Sequence, residues 1–156
     1  MFYAQIVKQY ITSISNNNSQ GNSAIVKAAL KELNEGIHKG GTKYWQWYGF
    51  NGRVEWCAIF VSYNAEKAGV KMEHFAYCPT GIENFKANNQ WFRKGSLPKN
   101  GNIIFFDWDG DSISYYVGIV EKVENEVVYT IEENSGNKIA PNTPNTCLLY
   151  TSPSPR

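Results

Sequence analysis

Arg53-Val-Glu-Trp-Cys57-Ala-Ile-Phe-Val-Ser62 places a cysteine at the entrance of an apolar helix. Ile59, Phe60, Tyr63 and Ala68 recur at helical spacing and Gly69 suits the exit, so a helix is expected over 56–68. A thiol in the first turn lies near unpaired backbone N–H groups and the positive end of the helix dipole. Both favour the thiolate, the reactive form. The same N–H groups, that of Cys57 included, can hold the oxyanion formed when a thiolate attacks an amide. A lone cysteine is more often a small buried hydrophobe. The rest of the chain must therefore supply a base for this one to react.

Upstream, Ser13-Ile-Ser-Asn-Asn-Asn-Ser-Gln-Gly21 reads as a linker closing an N-terminal segment, 1–22. Ser23 is expected to cap a helix over 24–35, with Ile25, Ala29, Leu30 and Leu33 on one face and Gly36 at the exit. Gly40-Gly41 opens an aromatic loop, Lys43-Tyr-Trp-Gln-Trp-Tyr-Gly-Phe-Asn-Gly52. Downstream, Pro79-Thr80-Gly-Ile-Glu83 reads as a capping box opening a short helix that runs to Asn88.

From Leu97 the period becomes strand-like. Pro98-Lys-Asn-Gly101 is a turn, and strands are expected over Asn102–Trp108, Tyr115–Glu121 and Val127–Glu132. Helices followed by an antiparallel β-meander give the α+β class. Asp107-Trp-Asp109-Gly-Asp111 is read as a turn. A calcium loop fails there, because Gly118 stands where the bidentate Glu is needed.

The 156 residues suffice for one domain with one core, and 42% hydrophobic residues fit a globular chain. A net charge of +1 gives no electrostatic case for nucleic acid as partner. No apolar run reaches the ~18 residues of a membrane span, and Met1–Tyr10 lacks a signal-peptide layout. Three irregularly spaced cysteines make no disulfide framework. Cys78 and His74 are too few ligands for a zinc site, so no metal or other cofactor is expected. The last ten residues, Cys147-Leu-Leu-Tyr-Thr-Ser-Pro-Ser-Pro-Arg156, continue no pattern of the chain. They resemble one translated frame of a sequencing-library adapter, and 147–156 is expected to be a non-native tail.

Tyr44-Trp-Gln-Trp-Tyr-Gly-Phe-Asn-Gly-Arg-Val-Glu-Trp-Cys57-Ala-Ile-Phe-Val-Ser62 resembles the nucleophile region of the CHAP family, the cysteine, histidine-dependent amidohydrolases/peptidases. Pro98–Trp108, Val117-Gly-Ile-Val120 and Thr130-Ile-Glu-Glu-Asn-Ser135 resemble its three core strands in order. The resemblance implies a CHAP-like domain over 23–146 with a papain-like α+β fold. It implies hydrolysis of peptidoglycan amide bonds, as an N-acetylmuramoyl-L-alanine amidase or an endopeptidase. It also implies a monomer acting on the bacterial wall, extracellular, wall-associated or phage-encoded.

By that resemblance Cys57 is the nucleophile, and Glu132 or Asn134 orients the base. The base position, immediately before Val117-Gly118, is a histidine in the family and Tyr116 here. The aspartate usual before it is Tyr115 here, and smaller departures are Asn100 and Asn102 for Gly and Asp, Glu133 for Gly, and Tyr63-Asn64 for Trp-Cys. A phenol, with a reference pKa of about 10 against about 8.5 for a thiol, is a poor acceptor of the cysteine's proton. Nor does it become the cation that protonates a departing amine. Weak activity or none is therefore expected, with a non-catalytic peptidoglycan-binding pseudoenzyme as the alternative. An aromatic-rich carbohydrate-binding module is a third reading, which would require an all-β chain. His38 and His74 are expected to be solvated or packing residues. Trp56 and Trp108 are the aromatics expected to touch ligand.

Overall fold

Cys57–Ala68 forms the central helix of the molecule, because nearly every face of it is apolar or small and finds a neighbour. The structure, a computed structural model, describes residues 23–35, 39–92, 98–106, 113–124, 127–133, 139–142 and 148–151. In chain order its helices are α1 (Ser23–Glu35), a 3-10 turn (Lys39–Gly41), α2 (Thr42–Tyr48), α3 (Cys57–Ala68) and α4 (Cys78–Ala87). The strands are β1 (Trp91–Phe92), β2 (Ile103–Phe106), β3 (Tyr116–Glu124), β4 (Val127–Glu133), β5 (Ile139–Asn142) and β6 (Leu148–Thr151). The class is α+β, as expected. No helix among the described residues is long and apolar enough to cross a membrane.

The sheet runs β1-β6-β2-β3-β4-β5, with antiparallel pairing throughout. Alternation along the strands gives it two apolar faces. Ile103, Phe105, Val117, Ile119 and Ile131 join the helices in the main core, around Ile25, Tyr44, Trp56 and Phe60. Ile104, Phe106, Val120 and Val128 form a second cluster on the other face. The expected three-strand meander is β2 to β4, and β5 extends it by a strand that the sequence reading did not expect. β6 departs from it by returning between β1 and β2, so Leu148–Thr151 of the unpatterned tail is a strand. Leu148-Leu-Tyr-Thr151 suits that role, being short and β-favouring.

Two local expectations are corrected. The aromatic stretch opened by Gly40-Gly41 is largely helical: α2 begins after Gly41 (φ 65) and stops at Gly49 (φ 112), both left-handed. Its glycines delimit a helix whose Tyr44 and Trp45 are buried, so packing overrides the weak helix propensity of aromatics. The capping box at Thr80 is absent. α4 begins three residues earlier than that cap implies, at Cys78, with Tyr77 as an extended N-cap and no side-chain cap bond. Pro79 explains the shift, since its fixed φ belongs in a first helical turn.

Candidate active site

The N-terminus of α3 is held from below by aromatic stacking. Trp56, its N-cap, lies parallel to Tyr44 with ring centroids 5.1 Å apart. Gly41 passes under the indole so closely that a Cβ there would overlap it. Tyr44 in turn donates its hydroxyl to Glu32 Oε2 (2.8 Å), and the same carboxylate oxygen accepts from Lys43 Nζ at 2.6 Å. Burial opposes the Lys43 charge, but the bonds to Glu32 and Glu35 outweigh it and hold the ammonium protonated above its usual range. Burial, and then the Glu32 contact, push the Tyr44 hydroxyl well above the usual range of a phenol.

Cys57 is the first residue of α3, and the first intrahelical bond runs from Phe60 N–H to Trp56 O (2.8 Å). The N–H groups of Cys57, Ala58 and Ile59 thus precede the ladder, and no side chain caps them. The thiol is 5% exposed and faces the start of β3, where Sγ reaches Tyr115 O at 3.8 Å.

Cys57 also meets Cys78, the first residue of α4, with the sulfurs 4.0 Å apart. A pair of bonds registers the two helices. Ser62 Oγ, fully buried on α3, donates to Phe75 O (2.8 Å) and accepts from Phe75 N (2.9 Å). The Phe75 ring covers Gly81 of α4, where a Cβ would come within 2.5 Å of it. Contact with Cys57, reinforced by burial, holds the Cys78 thiol protonated well above its usual range.

On β3, Tyr116 is half-buried and shares the sheet face of Gly118 and Glu132. Its ring lies 5.8 Å from that of Phe106, its cross-strand partner, and packs against both apolar clusters. Its carbonyl accepts from Ser114 Oγ at 2.9 Å. Glu132 is 1% exposed on β4, and its carboxylate leans over Gly118: a Cβ at 118 would meet Glu132 Oε2 at 3.1 Å. Cys57 thus meets the start of β3 at the backbone of Tyr115, one residue before Tyr116, while the Tyr116 side chain shares the face of Gly118 and Glu132. Asn134, Trp108, His38 and the Asp107–Asp111 turn lie outside the described residues.

The other expected ligand contact, Trp56, is 1% exposed and surrounded by core rings. His74 sits beside Glu66 (3.2 Å) and the Trp47 ring (5.3 Å). Glu66 is nine residues beyond Cys57, about 13 Å along the helix at 1.5 Å per residue. His74 therefore belongs to the far end of α3. A cleft of about 630 Å³ is lined by Lys27, Lys31, Glu32, Lys43, Tyr63 and Lys67, and none of Cys57, Tyr116 or Glu132 lines it. The sequence reading missed the partnership of Cys78 with Cys57. A usable signal existed in Tyr77-Cys-Pro79, because proline near a helix start marks Cys78 as a second first-turn cysteine.

The family model of the CHAP domain matches residues 47–134, more than half of the chain. Among curated proteins none matches. Among solved structures, the chain is similar to a lipoprotein-like protein of the NLP/P60 family from Staphylococcus aureus. The identity is 15% and the TM-score 0.43, over 86% of this chain and 41% of that one. The chain thus spans less than half of that protein's length.

Proposed function

Because this chain belongs to the CHAP domain family, a peptidoglycan hydrolase-type domain, we propose that it carries the nucleophile half of an amide-cleaving wall hydrolase and lacks the base half. The observation that supports this most is the position of Cys57, in the first turn of α3 and against β3 one residue before Tyr116. In the full reaction the Cys57 thiolate attacks the amide carbonyl carbon, and the first-turn N–H groups stabilise the oxyanion. The general base that took the thiol proton gives it to the departing amine as the C–N bond breaks, and water then cleaves the resulting thioester and frees the thiol. The bond cleaved is either the N-acetylmuramoyl-L-alanine amide or one within the stem peptide.

Tyr116 does not serve this cycle. It neither draws the thiol proton near neutral pH nor forms a cation to protonate the amine. Loss of the histidine from a serine-protease triad lowers kcat by about 10⁶. Purified peptidoglycan should stay turbid with the unmodified chain and clear with Tyr116→His. Lysis by the unmodified chain that Cys57→Ala abolishes would defeat the proposal.

A second reading, a non-catalytic peptidoglycan-binding domain, is favoured by the way the Tyr116 ring packs on Phe106 and both apolar clusters. It is a well-seated apolar ring at the base position. Co-sedimentation with insoluble peptidoglycan, without lysis by either the chain or Tyr116→His, is the result that selects this reading.

A further inference from the structure

We propose that Cys57 and Cys78 form a modification site, closing to a reversible disulfide when the chain meets a small hydroperoxide. The two sulfurs are 4.0 Å apart, and each belongs to the first residue of a different helix. A disulfide needs about 2.05 Å between sulfurs, so closure is a matter of about 2 Å. Side-chain rotation, with any further approach of the two helix starts, would have to cover that distance. The two backbones are already in register through the Ser62–Phe75 bonds and the seat of Phe75 on Gly81.

Exposure selects the oxidant. Cys57 is 5% and Cys78 4% exposed, so a molecule of the size of hydrogen peroxide reaches them more readily than a bulky disulfide. The Cys57 thiolate attacks one peroxide oxygen, and the O–O bond breaks. The products are a Cys57 sulfenic acid and hydroxide, which takes up the proton that Cys57 gave up. The Cys78 sulfur then attacks the Cys57 sulfur. The S–O bond breaks, and the departing hydroxide leaves as water with the Cys78 proton. In sum, two thiols lose two electrons and two protons, and one hydrogen peroxide becomes two waters. Cys78, held protonated by its contact with Cys57 and by burial, suits the resolving role rather than the first attack.

The bond would occupy the sulfur that the proposed hydrolase reaction uses, and that consequence alone rests on the functional reading above. Formation of the bond does not, and it is measured without any activity. The full chain is treated with hydrogen peroxide, free thiols are blocked with N-ethylmaleimide, and peptides are mapped without reduction. The expected product is a Cys57–Cys78 linked peptide lighter by two hydrogens than its separate halves, restored to two thiols by dithiothreitol. In Cys78→Ala and Cys78→Ser, Cys57 is expected to advance instead to the sulfinic acid, two oxygens heavier and not restored. Two variants guard against a folding defect in either one. Three results in the full chain would overturn the proposal: Cys57 still blocked by maleimide after peroxide, Cys57 over-oxidised while Cys78 stays a free thiol, or a bridge from either cysteine to Cys147.

Discussion

The helix-borne and strand-borne halves of the site are built under different constraints. Cys57 stands where the fold itself needs a small buried side chain: beneath it Trp56 stacks on Tyr44, and beside it α4 starts at Cys78. Tyr116 stands where several side chains would serve, since a ring there gains contact with Phe106 and with both clusters. Packing thus tends to hold the nucleophile in place whether or not the chain catalyses. No comparable force holds a histidine at 116. A domain of this layout can change the residue at 116 without losing its fold, and on the proposal above that is how the base would come to be missing here.

The largest test of that asymmetry is Tyr116→His. General acid–base groups contribute about 10²- to 10⁴-fold, so peptidoglycan clearing should rise by at least about 10²-fold over the unmodified chain. Lost ring contact with Phe106 should lower stability by only about 1 kcal/mol. A histidine variant that folds, binds peptidoglycan and leaves it uncleared would break the comparison, because the missing base would not be what separates the two halves.

Next is Gly41→Ala, which strikes the helix half alone. The residue has a positive φ of 65, and the new Cβ would overlap the Trp56 indole. Left-handed strain and overpacking together should cost about 3 kcal/mol, read as a lower urea midpoint. A change within about 0.5 kcal/mol would show that the start of α3 is not clamped by the indole.

Ser62→Ala comes third. It strips both backbone partners from Phe75 in a fully buried place, at about 2–3 kcal/mol. Because those bonds register α4 on α3, alkylation of Cys78 in the reduced chain should quicken. Unchanged alkylation alongside the stability loss would mean that the thiol pair is held by other contacts.

What the sequence disclosed follows the same division. The α1 and α3 segments, the three central strands and the α+β class are legible because their periodicities are regular, from Ile25–Leu33 on one helix to Val127–Glu132 on a strand. The CHAP resemblance was carried by the long stretch around Cys57. Helix α2 was hidden because Tyr44-Trp-Gln-Trp-Tyr48 has no strong helix former, and only burial of Tyr44 and Trp45 decides it. β6 was hidden because a four-residue strand joins the sheet through long-range backbone pairing, which no local pattern records. The Cys57–Cys78 contact joins residues 21 apart through two helix starts, and an incorrect cap at Thr80 concealed one of them.

The smallest expected effect lies deepest under the helix half, in the support that Glu32 and Tyr44 give Trp56. Tyr44→Phe keeps the ring stack and removes the 2.8 Å bond to Glu32, at about 1.5 kcal/mol near neutral pH. Its more telling signature is in alkali. Burial and then Glu32 raise the Tyr44 hydroxyl in the folded chain, while in the unfolded chain a phenol releases its proton near pH 10. Above about pH 10 the folded chain therefore binds more protons than the unfolded one, and stability falls as pH rises. Lys43 acts in the same sense: Glu32 and Glu35 raise it despite its burial, so its contribution is present below about pH 10.4 and declines above it. Urea midpoints between about pH 8 and pH 11 should thus drop in both proteins, less steeply in Tyr44→Phe, where Cys78 and Lys43 still release protons more readily when unfolded but Tyr44 no longer does. Equal slopes would mean that the Tyr44 proton is not held by the fold, and that Trp56 and the thiol above it rest on ring packing alone.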